Sequence, residues 1–442
     1  MPKGGVEMGI AGAYMVPHPP LIIPEIGKGR EREIQKTVDG YREVANRIGQ
    51  LRPETIVLIS PHQTMYRDYF HISPGDRAYG DFGQFGAGWV RMEVTYDTAF
   101  VGHICRLADA YDLSAGMEGE RSRELDHGTM VPLWFVNQEW EKYKLVRIGL
   151  SGLPLQQHFA LGRIVRETAD ALERKTVIIA SGDLSHRLRK EGPYGYAREG
   201  PEYDSRVMDV MERGVWGELL TFSDKLCDRA GECGHRSFVI MAGALEHMTV
   251  KAERLSYEGP FGVGYGICAY EVIKDAYTEL ARQTIEEYVR NGEVKEVPKG
   301  LPEEMYRTRA GAFVSVKKKG MLRGCIGTIQ AVCSSVAEEI IQNAISAVTN
   351  DPRFDPVEPY ELKDLSISVD VLGARERISS PKELDAKKYG VIVTKGYRRG
   401  LLLPNLEGVD TVEEQIRIAK QKAGIGTEEG VVLERFEVVR HN

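Results

Sequence analysis

Four histidines in the first half of the chain stand where an apolar run gives way to a loop, a placement suited to metal or proton-transfer chemistry. His18 closes Gly12-Ala13-Tyr14-Met15-Val16-Pro17, and His62 closes Thr55-Ile56-Val57-Leu58-Ile59-Ser60-Pro61. His186 ends the stretch from Val177 through Ser181-Gly182-Asp183-Leu184-Ser185, and His127 lies in Leu125-Asp126-His127-Gly128-Thr129 ahead of an apolar segment. Open α/β sheets gather their chemistry at the carboxyl ends of the strands. Histidine is the commonest metal ligand and the usual acid or base near neutral pH. Pro19-Pro20 after His18 and Pro61 before His62 end their strands and hold each imidazole in a defined loop.

An open metal site needs a third ligand. Arg229-Ala230-Gly231-Glu232-Cys233-Gly234-His235 leads into Phe238-Val239-Ile240-Met241-Ala242-Gly243-Ala244-Leu245, a buried apolar helix by its pattern. Glu232 with His18 and His62 would make the two-histidine, one-carboxylate set used with non-haem Fe(II). Cys233 in its place would favour a softer ion, zinc or copper. Alternatively, Cys233 is a packed thiol and Glu232 a partner of the helix dipole. His127 and His186 are the natural non-ligand pair. Asp126 and Asp183 are placed to orient imidazoles, and His186 to take a proton from a bound phenolic hydroxyl.

The elements that must position these residues alternate. Residues 8–275 show short β-branched runs at 55–60, 144–150 and 176–180 between helical stretches at 30–51 and 157–174. This predicts an α/β domain with a mostly parallel or mixed sheet and helices on both faces. Residues 67–88, rich in Gly, Asp and aromatics, read as a long loop or small hairpin, either a lid over the site or a surface excursion. Near residue 275 the character changes. Residues 276–442 carry a patterned helix up to Asn291-Gly292, a strand over 311–320, strands at 365–372, 390–394 and 400–403, and helices at 335–349 and 412–423. That is a smaller α+β domain with its own core.

Composition excludes some classes. The chain has 442 residues, 28% charged and 42% hydrophobic, with net charge −7, which argues against a broad nucleic-acid footprint. The apolar runs are too short to span a bilayer, and Met1-Pro2-Lys3-Gly4-Gly5-Val6-Glu7 has no apolar stretch of signal-peptide length. The expectation is a cytoplasmic protein; an oligomer is allowed and not selected. Cys105, Cys227, Cys233, Cys268, Cys325 and Cys333 form no CxxC pair and are expected as free thiols.

Taken in order, Val16-Pro17-His18-Pro19-Pro20, Ser60-Pro61-His62, Leu125-Asp126-His127-Gly128-Thr129-Met130-Val131-Pro132-Leu133, Ser181-Gly182-Asp183-Leu184-Ser185-His186 and Phe261-Gly262-Val263-Gly264-Tyr265 resemble the class III extradiol ring-cleavage dioxygenases of LigB type. The resemblance implies Fe(II) on His18, His62 and Glu232, active-site roles for His127 and His186, and a small catechol-like or aminophenol-like aromatic opened by O₂. Cys233-Gly234-His235-Arg236 also resembles the Memo family, relatives that keep the histidines and carry a cysteine where the dioxygenases have glutamate. On that alignment Cys233 is the ligand, and Asp183 shares the cavity with His186.

Leu322-Arg323-Gly324-Cys325-Ile326-Gly327 is the hexapeptide of the AMMECR family, and Asn350-Asp351-Pro352-Arg353-Phe354, Arg399-Gly400-Leu401-Leu402-Leu403-Pro404 and Thr411-Val412-Glu413-Glu414-Gln415 extend the likeness. The family's activity is not established. On residues alone, Gly324 and Gly327 could turn backbone N–H groups outward as an anion nest. Arg323 would add a bidentate charge, and Cys325 would be a nucleophile if its thiolate is favoured. The alternative is a glycine-rich turn with a packed cysteine. The fusion resembles the AmmeMemoRadiSam grouping, which implies a radical S-adenosylmethionine enzyme as partner.

Overall fold

The computed structural model describes residues 9–246, 248–273, 275–318, 321–406, 409–426 and 430–441. Lys319 and Gly320, the expected end of one strand, and Met1–Glu7, the stretch read for a signal peptide, lie outside them. The chain divides into two compact units, Met1–Ile273 and Lys274–Asn442.

The first unit runs β1 (Gly9–Val16), α1 (Pro24–Gly27), α2 (Gln35–Leu51), β2 (Thr55–Ser60), β3 (Phe70–His71), β4 (Arg77–Phe82), β5 (Ala87–Thr95), α3 (Thr98–Ala110), β6 (Ala115–Gly116) and α4 (His127–Val136). It continues with β7 (Lys144–Gly149), α5 (Leu155–Ala171), β8 (Lys175–Ser181), α6 (Glu199–Arg213), α7 (Asp224–Ala230), α8 (His235–Leu245), β9 (Val250–Glu258) and β10 (Tyr265–Val272). Its main sheet has the order β7-β2-β8-β1-β10-β9. The first four strands pair in parallel, whereas β10 and β9 join antiparallel, so the sheet is mixed.

Alternation along the buried strands feeds two cores. Met15, Val57 and Ile59 face α5 and α8, where Phe159, Ile164 and Phe238 pack. Tyr14, Val16, Ile56 and Leu58 face α2 and α4, against Tyr41, Val44 and Leu133. Runs apolar on both faces are the sequence mark of a sheet covered on both sides. The three adjacent parallel strands β2, β8 and β1 therefore deliver His62, the 181–186 stretch and His18 to one edge.

The second unit holds α9 (Ala276–Asn291), α10 (Glu303–Arg307), β11 (Ala312–Lys318), β12 (Met321–Gly327), α11 (Val336–Thr349), β13 (Leu365–Leu372), β14 (Glu376–Ile378), β15 (Gly390–Lys395), β16 (Arg398–Leu402), α12 (Val412–Lys422), β17 (Val432–Phe436) and β18 (Val438–His441). They form two four-stranded antiparallel sheets, β12-β11-β13-β18 and β14-β17-β15-β16. Val314 and Val316 of β11 pack against Ile340 and Ala344 of α11. Asp275 caps α9 through Tyr277 N and Thr278 N, and Ser335 caps α11 through Glu338 N, so both helices start at a side-chain acceptor.

Candidate metal centre

His18 Nε2 and His62 Nε2 lie 2.9 Å apart, and Cys233 Sγ is 3.6 Å from His18 Nε2. The three donor atoms all fall within 4.8 Å of one another. Two nitrogens and a sulfur at about 2.0–2.1 Å and 2.3 Å from one ion would show such separations. The donor set therefore fits a metal ion, and its character is that of a site for a borderline or soft one.

Local structure explains how the ligand atoms come to face one another. His18 is 2% exposed. Its Nδ1 stands 2.9 Å from Ser181 Oγ at the end of β8, and that hydroxyl donates its only proton to Gly128 O at 2.6 Å. Ser181 can then only accept, so His18 carries its proton on Nδ1. Nε2 is left as a bare lone pair turned toward His62 and Cys233. The backbone N–H of His18 donates to Asp183 Oδ1 at 2.8 Å.

Cys233 is brought in by a contact between two glycine backbones. A Cβ on Gly182 would lie 2.1 Å from Gly234 Cα, closer than atoms approach, so both positions need glycine. With the chains this close, Gly234 N donates to Asp183 O at 3.1 Å and Asp183 N donates to Cys233 Sγ at 3.3 Å.

The structure departs from the expected Fe(II) ligand set at Glu232. Its Oε2 accepts from His235 N at 2.6 Å, at the start of α8, and among the described residues the ligand cluster is His18, His62 and Cys233. A carboxylate at a helix N-terminus satisfies an unpaired N–H and the dipole together. Adjacent residues in this turn point different ways, and it is the thiol that faces the histidines.

The two carboxylates expected to orient imidazoles act elsewhere. Asp126 caps α4 by accepting from Thr129 N, receives Ser60 Oγ at 2.5 Å, and pairs with buried Arg147 at 3.3 Å. Asp183 holds the His18 backbone, not a ring. His127 stacks obliquely on His62 with centroids 4.0 Å apart. His186 Nε2 is buried without a hydrogen-bond partner. Sequence reasoning missed Ser181 and Arg147 as parts of the site. The signal for Arg147 was a lone charge inside an apolar strand; for Ser181 it was only its place at the end of the apolar run 177–180.

Electrostatics keep the imidazoles neutral. Burial, reinforced by the neighbouring rings, holds His18 well below the usual histidine range. Burial lowers His62, with Asp126 opposing. Burial and His62 bring both His127 and His186 down to about 4. Burial pushes Asp183 up to about 7, opposed by the His18 N–H, and also raises Cys233, with Asp183 and Glu232 adding to it. Four neutral imidazoles are four available donors or proton acceptors.

In the second unit the hexapeptide forms β12, an edge strand, and not a turn. The expected anion nest is absent there. Cys325 N donates to Asp351 Oδ2 at 2.9 Å, and the Arg323 guanidinium is spent on Glu361 and on the Asp355 and Pro356 carbonyls. The glycines serve packing: a Cβ on Gly324 would lie 2.0 Å from Ala347 O of α11, and one on Gly327 would lie 2.2 Å from the Phe313 ring. The Cys325 thiol accepts from Ser315 Oγ at 3.2 Å. All six cysteines are free, and among the described residues no helix is long and apolar enough to cross a membrane.

Comparison with known proteins agrees with this division. Residues 12–268 match the family described as the catalytic LigB subunit of aromatic ring-opening dioxygenase, and residues 278–441 match AMMECR1. Protein CA_C1420 of Clostridium acetobutylicum is 41% identical across 98% of this chain and 99% of its own length. A Thermotoga maritima protein is 54% identical over 37% of this chain and 96% of its own. Among solved structures, the uncharacterized protein PH0010 from Pyrococcus horikoshii shares 33% identity over 38% of this chain and 92% of its own, with a TM-score of 0.36. The uncharacterized protein JW3007 from Escherichia coli K12 covers 60% of this chain and 99% of its own at 16% identity, also with a TM-score of 0.36. With its first unit matched almost end to end, the chain belongs to the LigB family, as a member that carries a C-terminal AMMECR1 domain.

Proposed function

We propose that the LigB-family unit is a metal-binding protein in which His18, His62 and Cys233 hold one zinc or copper ion, and that it does not cleave catechol rings. The observation that carries this reading is the thiol of Cys233 among the imidazoles, with the neighbouring Glu232 engaged by the first turn of α8. A bound ion would supply Lewis acidity and, if copper, electron exchange. The chain's own residues do the rest. Ser181 fixes the His18 tautomer, the Gly182–Gly234 contact sets the thiol in place, and neutral His186 offers an unpaired nitrogen to a proton on whatever is bound. The AMMECR1 domain and a radical S-adenosylmethionine partner in the cytoplasm belong to the same proposal, which co-purification tests.

The second reading is Fe(II)-dependent opening of a catechol-like or aminophenol-like ring by O₂. It is favoured by the family match over residues 12–268 and by the proton-accepting nitrogen of His186. Metal analysis of anaerobically prepared protein separates the two, combined with an oxygen electrode and catechols. Zinc or copper that is lost in Cys233→Ala, kept in Glu232→Ala, and accompanied by no oxygen uptake supports the first reading. Iron lost in Glu232→Ala, together with oxygen uptake, overturns it in favour of the second.

A further inference from the structure

Residues 67–88, left open by the sequence between lid and surface excursion, lead into the hairpin β4–β5. At its tip the single turn Gly83–Phe85 sets the Phe85 ring against His127, centroids 5.4 Å apart and nearly edge-on at 76°. On another loop, after β8, Leu188 bridges back to Tyr196. That loop places the Tyr194 ring 5.0 Å from His186 at 33°. His127 and His186, the two histidines of the cluster outside the ligand set, thus each have an aromatic ring against them, brought by a separate loop.

The two rings differ in how they are held. Phe85 is half-buried and packs against the apolar core under α4, which makes it a fixed wall. Tyr194 is 60% exposed, so it can swing off His186 with little loss of buried surface. Its loop is nevertheless anchored. Leu188 N donates to Gly262 O at 3.0 Å, and a Cβ on Gly192 would meet Gly262 Cα at 3.3 Å. The Phe261-Gly262-Val263-Gly264 stretch therefore serves as the seat of the Tyr194 loop. Beside Tyr194, the buried Nε2 of His186 has no partner, an arrangement that carries the cost of an unmade hydrogen bond until something arrives to make it.

We propose that Phe85 and Tyr194 are the specificity residues of the histidine cluster, two rings that screen His127 and His186 and set the size of molecule that reaches them. The inference rests on the reading of that cluster as the reactive centre. Tyr194 is the movable screen and Phe85 the rigid one.

Labelling of the metal-free protein with diethyl pyrocarbonate, read peptide by peptide, tests the screening without any ion. Tyr194→Ala speeds labelling of His186 by about tenfold and leaves His127 alone. Phe85→Ala does the reverse, and Tyr194→Phe stays at the wild-type rate. Unchanged rates, or both histidines accelerating in either variant, overturn the proposal. With Co(II) loaded, the absorption spectrum reads two probes. Tyr194→Ala tightens 4-phenylimidazole by about tenfold and leaves azide unchanged. Equal changes for both probes count against size selection. Failure of the wild type to hold Co(II) counts against the metal reading alone, since the labelling result still decides the screening.

Discussion

Ser181→Ala tests the argument that a hydroxyl, and not a carboxylate, prepares the first ligand. The side chain is fully buried, accepts from His18 Nδ1 at 2.9 Å and donates to Gly128 O at 2.6 Å. Alanine leaves a buried N–H and a buried carbonyl unpaired. An unsatisfied buried group costs about 1–3 kcal/mol, so the two together cost about 2–6 kcal/mol of apo stability, toward the lower end if water enters. The ring also loses the partner that holds its proton on Nδ1. Removing such an outer partner typically lowers metal affinity by about 10–100-fold, or about 1.4–2.7 kcal/mol. Zinc affinity measured by competition with a chromophoric chelator, alongside urea unfolding of the metal-free protein, reads both effects. The reasoning fails if Ser181→Ala binds zinc as tightly as wild type while His18→Ala does not bind it, because the hydroxyl would then have no part in presenting Nε2.

Three further outcomes follow from the packing and charges. Gly182→Ala sets a Cβ 2.1 Å from Gly234 Cα, so the 182–234 contact opens and Cys233 withdraws. We expect a loss of about 1–3 kcal/mol in urea unfolding, with metal retention falling as in Cys233→Ala, and full metal content in a folded Gly182→Ala protein would contradict this. Gly324→Ala drives a methyl into the Ala347 carbonyl of α11. It lowers the stability of the second unit by a similar about 1–3 kcal/mol, read by hydrogen exchange in α11, while metal content stays at the wild-type level. Glu361, held by Arg323 and Lys318, has its carboxyl lowered from 4.5 to about 2. A depressed carboxylate stabilises the fold above its unfolded pKa and loses that contribution as pH falls through the folded one. The stability gap between wild type and Glu361→Gln is thus fully present above pH 4.5 and shrinks as pH falls toward 2. A gap that stays constant from pH 6 to pH 2 refutes the pairing as its source.

Much of this protein is legible in its sequence. Strand ends at 16 and 60, marked by Pro17 and Pro61, and the switch to α+β pattern near residue 275 are local properties of the chain. Period, β-branching and proline act within a few residues. So His18 and His62 could be assigned to one edge of a sheet, and Glu232 and Cys233 narrowed to a single helix start.

What remained undecided involved partners distant in sequence. The choice between Glu232 and Cys233 turns on a glycine contact across 182 and 234 and on the N–H of His235. Asp126 looked fit to orient a ring, but Arg147, 21 positions away in β7, and Ser60 claim it. Arg323 looked like a free hydrogen-bond donor for an anion until Glu361 stood beside it. The rings of Phe85 and Tyr194 gave no signal, since an aromatic in a loop carries no mark of what it will cover. Short-range patterning determined where the chemistry gathers. Which atoms face one another was decided only by packing, because a side chain's direction depends on neighbours that the linear chain places far away.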